Sequence, residues 1–341
     1  MRISPLLRRI LLAVSLILAV SVGWMGRSLQ LTQLSKQARG QSNVPVSTMR
    51  TPLSSTSSSY SAMHLNSTLR TSFFQLTSGL RPGRGEPIPD AGDVHDLPVK
   101  DISFYNWRGE LLSGWLSVHT PQAPIIILTH GTPGNRVSMT TRAAFLYNHG
   151  YNTLLFDFQS YGRSQGSLST LGMVESEDIL AAISYLRGLP DTMYSKVGVL
   201  GLSMGATAAV LAAARTNDIA ALVAESCPVD ATRVTSDVPS EEARDADQEL
   251  VEDEFGVDIT QARPIDVVHK LAGHTSLFFI NGDSDSVTPL PGMFTLYQAA
   301  SNPKQYWVVP GAAHAASFTV DTSGYMAHVN AFFDTSLGVS S

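Results

Sequence analysis

Residues 197–214 read VGVLGLSMGATAAVLAAA and carry the most informative local pattern in the chain. Val197–Leu200 is a short apolar run typical of a buried strand, and the alanine-rich run Ala206–Ala214 favours a helix. Between them, Gly201–Gly205 has the pattern G-x-S-x-G with Ser203 at its centre. A sharp strand-to-helix turn needs small residues because its backbone segments come close together. The pattern therefore predicts a serine hydroxyl exposed above the end of a sheet.

On both sides of this turn, apolar runs alternate with helical patterns. Strands are predicted over residues 125–128, 153–156, 220–224, 277–280 and 306–309, and helices over residues 141–149, 174–186 and 325–333. An antiparallel hairpin, residues 99–107 and 111–118, precedes them. Because strand and helix alternate, we expect an α/β fold with a mostly parallel sheet and helices on both faces.

Composition excludes several classes of protein. The 341 residues are 43% hydrophobic and 15% charged, as in a globular protein, and the formal net charge of −6 argues against nucleic-acid binding. The single cysteine, Cys227, can form neither an intrachain disulfide nor a cysteine metal cluster. The chain contains no H-E-x-x-H motif, and no G-x-G-x-x-G motif follows the first strand of the sheet. We therefore expect no metal and no cofactor.

The N-terminus predicts contact with a membrane. An apolar run, Ile10–Met25, follows three arginines and includes Trp24, a residue common at membrane interfaces. We favour a single-pass anchor over residues 1–26, which by the positive-inside rule places the rest of the chain outside the cytoplasm. The alternative is a signal peptide cleaved near Ala19–Ser21, which would give a secreted protein.

Three further segments are predicted. Residues 27–92 contain a serine/threonine tract and Pro/Gly clusters, so we expect a linker there. The folded domain should then occupy residues 93–341. About fifty residues without the strand–helix alternation suggest a small lid at about residues 227–272. Within it, Glu241–Glu254 is strongly acidic and is either a solvated helical face or part of a cover over the active site.

The chain resembles serine hydrolases of the α/β-hydrolase superfamily, of the esterase and lipase type, from about residue 98 to the end. The resemblance rests on the Gly201–Gly205 turn and on four other stretches: LTHGTPGN (128–135), FDFQSYGRS (156–164), GDSDSVTP (282–289) and PGAAH (310–314). Within these stretches, a serine, an aspartate and a histidine follow one another along the chain in the order typical of the family.

This resemblance implies a catalytic triad of Ser203, Asp285 and His314. Ser203 would be the nucleophile, His314 its general base and then acid, and Asp285 the carboxylate that orients the imidazole. The family pattern places the acid three residues after a glycine and four before a proline. Asp285 fits this pattern, whereas Asp283 directly follows the glycine and would shape the turn.

The remaining residue assignments concern the surroundings of the triad. Backbone N–H groups of Thr132 and Met204 would form the oxyanion hole, and His130 would be a hydrogen-bonding scaffold. Asp157 ends a strand and is interpreted as structural. Glu225 is the alternative triad acid, because some relatives take their acid from that neighbourhood.

The expected function is hydrolysis of a carboxylic ester, or of a thioester, in a small-molecule acyl substrate. One alternative is a peptidase of the same fold. Another is a binding module that has lost catalysis, although all three triad members are present. The sequence predicts no oligomeric state and does not encode the shape of the substrate pocket.

Overall fold

The structure is a computed structural model that describes residues 83–94, 96–189, 196–233 and 256–338, with isolated positions in the acidic segment. The predicted anchor lies outside these residues, as do most of the linker and most of Glu241–Glu254. Within the described residues, no helix has both the length and the apolar character needed to cross a bilayer.

Eight strands form one sheet, in the spatial order β1-β2-β4-β3-β5-β6-β7-β8. Their bounds are Lys100–Tyr105 (β1), Leu111–Ser117 (β2), Ile125–Thr129 (β3), Asn152–Phe156 (β4), Val197–Leu202 (β5), Ile219–Glu225 (β6), Ser276–Gly282 (β7) and Lys304–Val309 (β8). Strand β2 runs antiparallel to both β1 and β4, and the remaining neighbours are parallel. The predicted hairpin and the mostly parallel sheet are confirmed.

Six α-helices connect or follow the strands in the described part of the chain. They are Thr140–His149 (α1), Glu175–Arg187 (α2), Met204–Ala213 (α3), Leu290–Ala299 (α4), Ser317–Val320 (α5) and Thr322–Leu337 (α6). The sequence had not predicted α4. Pro289, Pro291 and Gly292 suggest a loop, but proline is tolerated in the first turn of a helix, where its missing N–H has no intrahelical partner.

Two hydrophobic cores lie on opposite faces of the sheet. Ile125 and Ile127 pack into the core that includes α2 and α3, whereas Ile126 and Leu128 face the core that includes α1 and α6. Successive side chains of a strand point to opposite faces, so a strand covered on both sides must be apolar throughout. This explains why all five residues of β3 are buried.

The described end of the predicted linker contacts the loops that follow β3 and β4. The Asn135 side chain donates to the carbonyl oxygens of Glu86, at 2.7 Å, and Arg84, at 3.3 Å. Arg163 donates to the carbonyl of Ile88 at 2.7 Å. The domain boundary near residue 93 stays a prediction, and these contacts make Gly83 the better start for a truncated chain.

Candidate active site

The turn between β5 and α3 has no room for larger side chains at its two glycines. A Cβ at Gly205 would lie 2.4 Å from the carbonyl oxygen of Thr129, and one at Gly201 would lie 2.6 Å from the carbonyl oxygen of Gly205. Ser203 has a φ of 54° and a ψ of −117°, and α3 begins at the next residue. Such a left-handed conformation is rare for a serine and is typical of a functional turn.

The structure brings together the three residues of the predicted triad. The Oγ of Ser203 lies 2.9 Å from Nε2 of His314, and Nδ1 of the same imidazole lies 2.9 Å from Oδ2 of Asp285. The carboxylate can only accept, so the imidazole proton belongs on Nδ1 and Nε2 is free to accept from the serine hydroxyl. This arrangement can move a proton from Ser203 to His314.

Asp285 is held as a carboxylate in a buried position. Burial opposes its ionisation, but hydrogen bonds from His314 and from the backbone and side chain of Thr288 outweigh it and lower the pKa of Asp285 to about 2. The Thr288 hydroxyl donates to Oδ2 at 2.7 Å, and the N–H groups of Val287 and Thr288 donate to Oδ1. The acid therefore remains charged throughout the neutral pH range.

The alternative acid, Glu225, binds elsewhere. Its side chain accepts from Arg142, at 3.1 Å and 3.2 Å, and from the Tyr325 hydroxyl at 2.7 Å. Asp283 also binds elsewhere, because its Oδ1 accepts from the backbone N–H of Gly311 at 2.7 Å. Asp285 is the acid that the structure places on His314.

The two residues expected to form the oxyanion hole lie beside Ser203. Gly131, next to Thr132, approaches the serine so closely that a Cβ on it would lie 3.2 Å from the serine Cβ. Met204 is the first residue of α3, where backbone N–H groups have no partner within the helix. The Tyr161 hydroxyl contacts the sulfur of Met204 at 3.3 Å.

Comparison with known proteins identifies the family. A family model described as X-Pro dipeptidyl-peptidase (S15 family) matches residues 38–239, more than half of the chain. The chain belongs to the S15 family. The match includes the loop after β3 and the turn around Ser203 but ends before Asp285 and His314.

Relatives of this S15-family chain align with about two thirds of its length. It is 30% identical to the uncharacterized protein Rv2307c of Mycobacterium tuberculosis over 233 residues, 67% of this chain and 76% of the relative. It is 25% identical to the uncharacterized protein YqkD of Bacillus subtilis over 218 residues, 61% of this chain and 70% of the relative. The alignments extend well beyond a local motif.

A solved structure supports the α/β-hydrolase fold. The Pyrococcus furiosus esterase Pf2001 superimposes with a TM-score of 0.61, at 24% identity, over 74% of this chain and 98% of that one. The S15-family chain is therefore a serine hydrolase of the α/β-hydrolase fold, as the sequence motifs predicted.

Two buried groups support the loop of residues 130–135 in this S15-family fold. His130 donates from Nδ1 to the carbonyl of Gly131 at 2.9 Å and accepts at Nε2 from the N–H of Phe158 at 3.2 Å. Burial lowers its pKa, so it stays neutral. Asp157 accepts from the backbone and the side chain of Arg136, both at 2.9 Å. Both residues have the scaffold contacts expected from the sequence.

No group of three or more potential metal-ligating side chains occurs in the part of the chain that the structure describes.

A cleft of about 830 Å³ lies beside Leu211, Ala214 and Arg215. These residues lie at the end of α3 opposite to Ser203, about 15 Å away at the rise of an α-helix. The cleft is therefore separate from the triad.

Several residues that support the site could not be identified from the sequence. A turn stabilised by Asp285 was recognisable in principle, because aspartate side chains often accept from the backbone N–H two residues further on, here Val287, but the hydroxyl contact of Thr288 was not. Arg142 carried no such signal. It lies on a helix 83 residues before its partner Glu225, and no local pattern links the two. Tyr161 belonged to a recognised stretch, but its contact with Met204 depends on how the loop after β4 packs against the start of α3.

Proposed function

We propose that this protein hydrolyses carboxylic esters through an acyl-enzyme formed on Ser203, with His314 and Asp285 completing the triad. The observation that carries the proposal is the continuous path from the Ser203 hydroxyl through the imidazole to a buried carboxylate, with both distances at 2.9 Å. A serine hydroxyl is a weak nucleophile at neutral pH, and an adjacent, oriented base is what activates it.

The reaction proceeds in two steps, acylation of Ser203 and hydrolysis of the acyl-enzyme. Ser203 Oγ attacks the ester carbonyl while His314 Nε2 takes the hydroxyl proton, and the same proton then passes to the departing alcohol as the C–O bond breaks. In the second step, water gives a proton to His314 and attacks the acyl-enzyme. The bond between Ser203 Oγ and the acyl carbon then breaks, His314 returns its proton to Oγ, and the carboxylic acid leaves.

Backbone donors are proposed to stabilise the charge that develops on the carbonyl oxygen. The N–H of Met204 lies at the start of α3, where the helix dipole favours negative charge. Thr132 directly follows Gly131, a loop residue that lies close to Ser203. Loss of one such donor typically lowers kcat by about 10²–10³-fold. Because both groups belong to the backbone, side-chain replacement at Thr132 should have a smaller effect.

We propose ester hydrolysis in place of peptide hydrolysis. The description of the Pyrococcus furiosus protein Pf2001 as an esterase supports this choice. The family description, X-Pro dipeptidyl-peptidase, supports the peptidase alternative. The same triad serves both reactions, so the substrate pocket decides between them.

The test compares two substrate panels on the full-length protein. One panel contains p-nitrophenyl esters of increasing acyl length, and the other contains Xaa-Pro p-nitroanilides. We expect hydrolysis of the esters, abolished in Ser203→Ala, with much weaker cleavage of the anilides. Higher kcat/KM on an anilide than on every ester would assign the protein to the peptidases instead.

We also propose that the N-terminal apolar run holds the enzyme at a membrane, with the catalytic domain outside the cytoplasm. The arginines before Ile10–Met25 and the length of the run support this orientation. A cleaved signal peptide remains the alternative, and membrane fractionation separates the two. A C-terminal reporter that is active only in the cytoplasm would contradict both versions.

A further inference from the structure

Glu225, the last residue of β6, contacts both the nucleophile and the histidine loop. Its backbone carbonyl accepts from the N–H of Ser203 at 2.9 Å. Its carboxylate binds Arg142 through two nitrogens and also accepts from the Tyr325 hydroxyl. The buried group of Arg142, Glu225 and Tyr325, called the support cluster below, is thus hydrogen-bonded to the nucleophile turn through the backbone of Glu225.

The support cluster reaches the loop that carries His314. The Nη2 of Arg142 donates to the carbonyl oxygen of Ala315 at 3.4 Å. On the other side, the N–H of Ala315 donates to the hydroxyl of Ser226 at 3.2 Å. Both backbone polar groups of the residue that follows His314 are therefore bound by residues of α1 and of the β6 end.

The backbone of Ala315 needs such support. Its φ is 61°, a left-handed conformation that residues with a Cβ rarely adopt. Strained conformations persist where the surrounding structure holds them, and they occur often at active sites. Relaxation of Ala315 would rotate the adjoining peptide and shift the imidazole relative to Ser203.

The cluster is costly to bury. Arg142 is 6% exposed, and Glu225 and Tyr325 are fully buried. A buried ion pair is often no more stabilising than apolar residues of the same volume, because its desolvation cost offsets its attraction. The charges of Arg142 and Glu225 cancel, so their effect on His314 should come from geometry and not from a net field.

We propose that Arg142 and Tyr325 are positioning residues that hold His314 over Ser203 by way of Glu225 and the Ala315 peptide. The expected loss of activity when these residues are replaced rests on the proposed ester hydrolysis. The position of the imidazole can be measured without any substrate, so the two proposals can fail separately.

The structure offers a matched pair of variants for the test. Tyr325→Phe removes a phenol-to-carboxylate hydrogen bond within the cluster. Tyr151→Phe removes the same kind of bond, from Tyr151 to Asp334 of α6, away from the triad. Arg142→Lys keeps the positive charge but cannot reproduce the fork that binds Glu225 and Ala315 together. If Arg142→Lys does not fold, Tyr325→Phe and Ser226→Ala still test the contact.

Two readouts are made on the full-length proteins. The first is kcat and KM for p-nitrophenyl acetate. The second is the Nδ1–H resonance of His314 in proton NMR with ¹⁵N-histidine labelling, assigned by its loss in His314→Asn. Displacement of a reacting group by about 1 Å can cost about 10²-fold in rate. We expect kcat to fall by roughly that factor in Arg142→Lys and by about tenfold in Tyr325→Phe, with little change in KM.

The Nδ1–H resonance of His314 should broaden or shift in Arg142→Lys and in Tyr325→Phe and stay unchanged in Tyr151→Phe. This difference should hold even if all three variants have equally lowered melting temperatures. Equal kcat and an unchanged resonance in Tyr325→Phe and Tyr151→Phe would overturn the inference. A wild-type resonance that Arg142→Lys loses, in a protein that cleaves no ester, would refute the proposed function and leave the positioning role standing. Absence of the resonance in wild type would refute the positioning role.

Discussion

Asp283 and Asp285 lie two residues apart in one loop but bind different elements. Asp283 Oδ1 accepts from the Gly311 N–H at 2.7 Å, whereas Asp285 Oδ2 lies 2.9 Å from Nδ1 of His314. Spacing alone could not separate them, because residues two apart point to the same side of an extended chain. The backbone turns here, and the Asp285 carboxylate accepts from the N–H groups of Val287 and Thr288.

The two aspartates should therefore respond differently to the same substitution. Asp285→Asn should lower kcat by about 10⁴-fold with little loss of stability, because the amide favours the wrong imidazole tautomer. Asp283→Asn should leave kcat within about threefold and lower stability by about 1 kcal/mol through the Gly311 contact. Both are checked by kinetics and thermal melting on the same preparations. A folded Asp285→Asn protein with near-normal kcat would refute the assignment.

The order of strands and helices was predictable because buried parallel strands are continuous apolar runs, and most predicted bounds lie within about two residues of the observed ones. The triad was predictable through the resemblance to the α/β-hydrolase superfamily, whose motifs mark all three members, and each member follows a strand that ends at the same edge of the sheet. Helix α4 was missed because its first turn contains Pro291 and Gly292. The contact of Arg142 with Glu225 was missed because only tertiary packing joins them.

His130 should make stability depend on pH. Burial lowers its pKa below 6.5 in the folded state, so near and below that pH the unfolded chain binds a proton that the folded chain does not. Stability is therefore lost as pH falls through about 6.5. In His130→Asn this contribution is absent.

Urea unfolding of both proteins between pH 7.5 and pH 5 checks this expectation. The stability advantage of wild type over His130→Asn should shrink as the pH falls. Other titrating groups are shared by the two proteins and cancel in the difference. An advantage that grows toward low pH would show that His130 is protonated in the folded protein.

The start of a truncated chain should affect stability. A chain that begins at Asp93 loses the contacts of Glu86 with Asn135 and of Ile88 with Arg163, whereas one that begins at Gly83 retains them. We expect the shorter chain to melt several degrees lower, since loss of about 1–2 kcal/mol shifts the melting temperature of a domain of this size by about 2–8 °C. Equal melting temperatures would show that residues 84–88 contribute nothing to the stability of the folded domain.

The proposed mechanism requires Ser203 to be an activated nucleophile, and covalent labelling measures this activation without a chosen substrate. The full-length protein is incubated with a fluorophosphonate probe at neutral pH, digested and mapped by mass spectrometry, with Ser203→Ala and His314→Asn in parallel. We expect a stoichiometric adduct on the peptide containing Ser203 in wild type, none in Ser203→Ala, and strongly slowed labelling in His314→Asn. Folded wild-type protein that remains unlabelled, or that is labelled equally fast without His314, would contradict it.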